Sequence, residues 1–246
     1  MATILIGNGP SVKENTLGEL IDSFGTVCRM NGAHITPKHS PYVGSHTDIW
    51  FFNTRFRGDN LRALMYLRDS KIDVPYFVIY PSDKSTEYPK TKMFIQQNFP
   101  ESTATYVRDK HDKAAKTFTC TRPTMGIVAL TWLIMEGYAP VYLYGFDMLD
   151  LLEGDTWDKG HYDNRPSGFY SKDDRNHRPQ HEVQGFKRYI DEGKAIIWKD
   201  RNESEDSSNY TSSRGIEGTS EEEFDGDQRE IFNRILYQDR PGLFIG

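Results

Sequence analysis

The stretch that most constrains the fold is residues 124–147, TMGIVALTWLIMEGYAPVYLYGFD. Its first part reads as a long apolar helix with glycine near each end, and APVYLYGFD follows at once as an apolar strand. Periodicity separates the two by length and by the glycine between them. Upstream the same alternation recurs. TILIG (3–7), FGTVCRMN, DIWFFN and VPYFVIYP are strand-like runs closed by glycine, asparagine or proline. Between them, KENTLGELIDSF carries Leu17, Leu20 and Ile21 at helical spacing. DNLRALMYLRDSK places Leu61, Leu64, Met65 and Leu67 on one helical face, and KTKMFIQQNF is also helical. Downstream, VQGFKRYIDEG is a helix and KAIIW a final strand. Strands and helices alternating with short joins predict an α/β fold, a mostly parallel sheet flanked by helices, over residues 1–199. Ligands in such folds lie beyond the carboxyl ends of the strands. That rule gathers the endings GNGPS, RMN, FFN and GFD into one crevice.

Length and composition fit one such domain. Of the 246 residues, 37% are hydrophobic, enough for a sizeable core, and no apolar run approaches the ~18 residues of a membrane span. MATILIGNGPS has neither the basic start nor the apolar run of a signal peptide, so a cytoplasmic location is expected. Cys28 and Cys120 then read as two reduced thiols. The net charge of −6 is unevenly spread. Residues 200–230 hold eleven acids against Arg201, Arg214 and Arg229, which leaves +2 for the rest. This acidic, serine-rich segment is expected to be mobile. Residues 231–246 are expected to fold back as a short helix with Ile231, Ile235 and Leu236 inward. Basic groups at Arg55, Arg57, Arg62, Arg68 and Lys71, at Arg108, Lys110, Lys113 and Lys116, and at Lys172, Arg175, Arg178, Lys187 and Arg188 suit a phosphate-bearing partner or a solvated surface equally.

Several residues at the strand ends carry candidate chemistry. Gly7-Asn8-Gly9-Pro10-Ser11 permits a sharp turn and close ligand approach, yet matches neither GxGxxG nor GxxxxGK[ST], and Pro10 lacks an N–H. It is a ligand turn or a plain structural one. Asn31 and Asn53 end strands with amides that suit sugar hydroxyls or a base edge; alternatively they cap helices or turns. Thr124, ahead of Met125 and Gly126, stands where a helix start favours an anion, or where an ordinary N-cap belongs. Asp147 follows a strand and either binds substrate or holds a neighbouring loop. Tyr162, in GHYDN within the polar stretch 151–176, is a phenol able to hydrogen-bond a leaving phosphate. His161 and Asp163 beside it lack the company of a dedicated metal site. His177 and His181 are not HExxH, because RPQ, which lacks the required glutamate, separates them, and Pro179 interrupts any helix across them. A general base is the better reading than a metal pair, and spacing alone does not choose between the two.

In order and spacing these pieces resemble the sialyltransferase superfamily, both the animal-type enzymes and their bacterial relatives. The turn Gly7-Asn8-Gly9-Pro10-Ser11 after a first strand, Arg29-Met30-Asn31, Phe52-Asn53, PTMGIVALTWLIMEGYAPVYLYGFD, His161-Tyr162-Asp163, and His177 with Glu182 five residues later carry the resemblance, over residues 3–198. It implies a single Rossmann-like glycosyltransferase domain that uses a CMP-linked nucleotide-sugar donor without an obligatory metal or other cofactor. It implies His177 as the base that takes the acceptor hydroxyl's proton in an inverting transfer, with Tyr162 assisting departure of CMP. Asn8, Gly9, Pro10, Asn31, Asn53, Thr124, Met125, Gly126 and Asp147 would line the donor site. Met125 stands where the family has serine or threonine before the glycine, which brings bulk to the donor pocket and favours a sugar no larger than sialic acid. A glycan is the expected acceptor. A hydroxylated DNA base is the alternative acceptor, and a non-catalytic nucleotide-binding protein the alternative role.

Overall fold

The computed structural model describes residues 2–33, 35–54, 59–81, 87–119, 123–153 and 179–198. Residues Met1–Ile197 group into one compact unit. Its strands are β1 (Thr3–Ile6), β2 (Thr26–Met30), β3 (Ile49–Asn53), β4 (Tyr76–Tyr80), β5 (Thr103–Tyr106), β6 (Val141–Tyr144) and β7 (Ala195–Ile197). The helices are α1 (Gly18–Asp22), α2 (Ser40–Val43), α3 (Asp59–Asp69), α4 (Glu87–Asn98), α5 (Asp109–Thr119), α6 (Met125–Met135) and α7 (Pro179–Asp191). Short 3-10 turns follow β1 at Pro10–Lys13 and β6 at Asp147–Glu153.

All seven strands pair in parallel, in the order β5-β4-β3-β2-β1-β6-β7. A parallel sheet covered on both faces needs strands apolar on both sides, which is why these segments are nearly continuous hydrophobic runs. Leu5, Cys28, Met30, Ile49, Phe51 and Val78 pack with α6 and with Phe186 and Tyr189 of α7. The alternate residues Ile4, Val27, Trp50, Phe52, Phe77 and Ile79 are buried as well, on the opposite side of the pleat. Helix α6 is apolar all round because it lies between the sheet and its neighbours α5 and α7. Trp132 anchors it, edge-on to Phe51 and stacked on Tyr138.

The sheet grows outward from β1 through β2 to β5, then returns to β1's other side with β6 and β7. The chain therefore leaves the carboxyl ends of β1 and β6 in divergent directions. This is the switch point at which open α/β sheets form their crevice.

The helix expected in KENTLGELIDSF is the short α1, in which Ile21 is buried while Leu20 is 51% exposed. Two elements went unread, β5 and α5, which lack an apolar pattern. The edge strand is the polar TATY, and α5 was legible only as a basic cluster. In the structure α5 buries Ala115 and His111, while Lys110 pairs with Glu136 and Lys116 with Asp112. No described helix is long and apolar enough to cross a membrane. Cys28 is a buried free thiol. Cys120, the acidic stretch 200–230 and the tail 231–246 lie outside the described residues.

Candidate active site at the strand-end crevice

Two turns meet at the switch point. After β1, the Gly7 N–H donates to the Tyr144 carbonyl (2.7 Å) and the Gly9 N–H to the Gly145 carbonyl (2.9 Å). The Ser11 N–H donates to Asp147 Oδ2 (3.0 Å), and the Ser11 hydroxyl donates to Asp147 Oδ1. Both glycines are required by this approach. A Cβ on Gly7 would lie 2.1 Å from the Gly145 oxygen, and one on Gly9 would lie 2.3 Å from Asp147 Oδ1. Pro10 opens the 3-10 turn, where a missing N–H costs nothing. The turn's amides at residues 7, 9 and 11 are thus spent inside the protein. What the turn offers a ligand is the Asn8 side chain.

The Asn8 amide is oriented by its Nδ2, which donates to the Met30 carbonyl at the end of β2 (3.3 Å). Flipping it would set oxygen against oxygen, so Oδ1 is held as an acceptor. That atom is buried and has no hydrogen-bond partner among the described residues. Asn31 follows Met30 with φ 51°, a left-handed conformation that asparagine tolerates better than most residues. Its N–H donates to the Phe51 carbonyl (2.7 Å) and its carbonyl accepts from Trp50 Nε1 (2.9 Å). With the backbone locked to β3, the Asn31 Oδ1 is also buried without a partner among the described residues. An acceptor left in that state costs about 1–3 kcal/mol. Asn8 and Asn31 thus each present such an acceptor at the carboxyl ends of the neighbouring strands β1 and β2. Asn53, one strand further out, accepts from Asn60 Nδ2 through its Oδ1 (3.1 Å).

The second group lies at the start of α6. Thr124 takes the N-cap position, but its hydroxyl does not cap. Its N–H donates to Glu182 Oε1 (2.8 Å) and its hydroxyl to Glu182 Oε2 (2.5 Å). Glu182, in the first turn of α7, is fully buried. Burial pushes its carboxyl up to about 7, although both bonds from Thr124 pull the other way. Gly126 is a packing glycine: a Cβ there would stand 3.0 Å from the Phe146 ring and 3.5 Å from Phe186. Met125 turns into the core and is 7% exposed. Phe146 joins the two groups. It stands next to Asp147, packs on Phe186 at 5.4 Å between ring centroids, and would be met by a Cβ on either Gly7 or Gly126.

The structure therefore brings together Asn8, Gly9, Pro10, Asn31 and Asp147 around the β1 turn, and Thr124, Met125 and Gly126 around the α6 start. Asn53 sits at the neighbouring strand end. His177, Tyr162, His161 and Asp163 lie outside the described residues, as does all of 154–178. Asp147 holds a neighbouring loop, one of its two expected roles, but the partners Ser11 for Asp147, Glu182 for Thr124 and Asn60 for Asn53 were not legible in the sequence. A carboxylate placed in the first helical turn was the one available signal, for Glu182. Among the described residues no group of three or more His, Cys, Asp or Glu side chains is placed to share a metal ion.

Comparison with known proteins bears on this geometry. The chain is similar in fold to a mammalian sialyltransferase crystal structure at 19% identity and a TM-score of 0.57, covering 81% of this chain and 69% of that one. A mammalian sialyltransferase in complex with Gal-beta-1-3GalNAc-ortho-nitrophenol aligns at 17% identity and a TM-score of 0.52, covering 81% and 70% respectively. No match is found among curated proteins. The sequence profile of glycosyltransferase family 29 (sialyltransferase) matches residues 3–194, from the first residue of β1 to the threshold of β7. The chain belongs to glycosyltransferase family 29, the sialyltransferases, and is a sialyltransferase-like enzyme.

Proposed function

We propose that this enzyme transfers a sugar from a CMP-linked donor to a hydroxyl of a glycan acceptor, with inversion at the anomeric carbon. The observation that carries the reading is the pair of buried amide oxygens on Asn8 and Asn31. Both are acceptors, so they suit hydroxyl or amino hydrogens, as a ribose or a cytosine amine presents, and not a phosphate. The phosphate needs donors. The first-turn amides of α6, at residues 125–127, are of the kind that a helix start leaves without an intrahelical acceptor. A nucleotide with its nucleoside on the β1–β2 side and its phosphate toward α6 satisfies both.

In this reading the His177 imidazole takes the proton of the acceptor hydroxyl as its oxygen bonds to the anomeric carbon. The bond from that carbon to the phosphate oxygen breaks, and CMP departs with the Tyr162 phenol hydrogen-bonded to its phosphate. A general base contributes roughly 10²–10⁴-fold to such a step. The glycan acceptor follows the chemistry of the disaccharide-bound relative and rests on likeness of fold.

The test is CMP release from CMP-sialic acid and from other CMP-sugars, with galactosides as acceptors. Turnover in the wild type and loss of at least about a hundredfold in His177→Ala are expected. A His177→Ala enzyme that keeps its full rate would remove the base from this mechanism.

A further inference from the structure

Glu182 is the one fully buried carboxylate in the described residues. It belongs to α7, yet both its oxygens are committed to a residue 58 positions earlier in the chain, through the N–H and the hydroxyl of Thr124. A hydrogen-bonded carboxylate of this kind could be plain scaffolding, but its location argues for more. It grips the residue that opens α6, directly ahead of the amides at 125–127, and it does so from the first turn of the helix that follows residues 177 and 178. The Thr124 hydroxyl, which would otherwise cap α6, is turned away from the helix by this grip. Beside it, Phe186, one turn along α7, packs near Gly126. Thus the Glu182 carboxylate is the hydrogen-bonded tie between the α6 start and the α7 start, with the Tyr189 hydroxyl on Thr131 further along.

We infer that Glu182 is a positioning residue for donor binding: it holds Thr124 so that the first-turn amides of α6 are aimed at the donor's phosphate, without touching the donor itself. This rests on the proposed use of a CMP donor. Removing the carboxylate takes away the acceptor of the half-buried Thr124 N–H and hydroxyl and frees the α6 start to move. Glu182→Gln keeps the shape, since its Oε1 accepts from the N–H while its Nε2 donates to the hydroxyl oxygen. Glu182→Asp, shorter by one methylene, does not reach.

The experiment has two arms on the full chain, with CMP as the probe. In calorimetry, Glu182→Ala and Glu182→Asp are expected to weaken CMP binding about tenfold or more, with most of that affinity recovered in Glu182→Gln. In a double-mutant cycle the losses from Glu182→Ala and Thr124→Ala are expected to be strongly non-additive, because one acts through the other. In amide exchange, residues 124–127 are expected to exchange roughly tenfold faster in Glu182→Ala and at the original rate in Glu182→Gln. Unchanged CMP affinity in Glu182→Ala, or additive losses, would overturn the inference while leaving the donor reading standing. If the wild type binds no CMP, the donor reading fails by itself. The grip on α6 is then judged by exchange: it stands if Ala accelerates residues 124–127 and Gln restores them, and it is overturned if neither does. Should Ala and Asp fail to fold, Thr124→Val, which lacks only the hydroxyl, takes their place in both arms with the same expected direction.

Discussion

Two turns at the mouth of this sheet are held by the same device, and they differ in where the carboxylate comes from. Asp147 and Glu182 each take a backbone N–H and a hydroxyl from a single residue, Ser11 and Thr124 respectively. Asp147 comes from the turn directly after β6, the strand hydrogen-bonded to β1, so its position is set by the sheet itself. Glu182 reaches across from a helix that docks late in the chain and lies deeper, with no exposed surface. One clamp is part of the sheet's edge. The other is an alliance between two helices, and it keeps an ionisable group at the expense of its solvation. The lesson is that identical hydrogen bonds carry different liabilities. The sheet-borne clamp is vulnerable to sterics, and the helix-borne clamp to loss of its carboxyl proton as the pH rises.

The largest expected effect breaks the sheet-borne clamp. Gly9→Ala would bring a Cβ to 2.3 Å from Asp147 Oδ1 and 2.8 Å from the Gly145 oxygen. The second contact is with backbone, so rotating a side chain cannot relieve it. A loss of about 3 kcal/mol or more is expected in urea denaturation, in the range of buried overpacking and strain. By contrast Gly126→Ala would meet the edge of the Phe146 ring at 3.0 Å, a side chain able to shift, and a smaller loss is expected. Equal losses from the two would erase the distinction between the turns.

The next effect probes the helix-borne clamp through pH. The Glu182 carboxyl is pushed from the ordinary 4.5 up to about 7 by burial. On raising the pH, the unfolded chain gives up this proton first, so the native state holds more protons between those values. Its contribution to stability is complete below about 4.5 and is lost as the pH rises through about 7. A shift of this size corresponds to about 3 kcal/mol. Urea denaturation of wild type and Glu182→Gln at pH 5 and pH 8 isolates it from the other carboxylates. The wild type is expected to lose ground to the variant at pH 8, and parallel behaviour at both pH values would show that the carboxyl is not raised.

How much of this was legible beforehand follows from what side chains advertise. The parallel sheet was legible because its strands are buried on both faces and so read as apolar runs, as in IWFFN and YFVIY. The edge strand TATY was not, since an edge needs no such run, and α5 carries its polar face in DKHDKAAK. The strand-end rule located Asn8, Asn31, Asn53 and Asp147. What they do there depends on cross-chain partners that no local pattern encodes: Ser11 and Asp147 are 136 residues apart. The core-facing direction of Met125 was not legible for a similar reason. Its neighbours on α6 do not say which face meets the sheet, because every face of that helix is apolar.

The smallest effect sharpens the comparison from the ligand's side, because it concerns an atom that neither clamp uses. Asn31 keeps a buried Oδ1 without a partner among the described residues, on a backbone with φ 51°. Asn31→Gly removes that acceptor, and glycine adopts the left-handed conformation at no steric cost. The backbone bonds to Phe51 and Trp50 do not involve the side chain and survive the change. Relief of the stranded acceptor offsets the greater chain entropy of glycine, so stability is expected to stay within about 1 kcal/mol of wild type. CMP affinity should nevertheless fall about tenfold, since a ligand hydroxyl or amine loses its acceptor in a dry site. A variant that is destabilised by several kcal/mol yet binds CMP unchanged would mark the amide as scaffolding. It would then belong with the two clamps and not with the ligand.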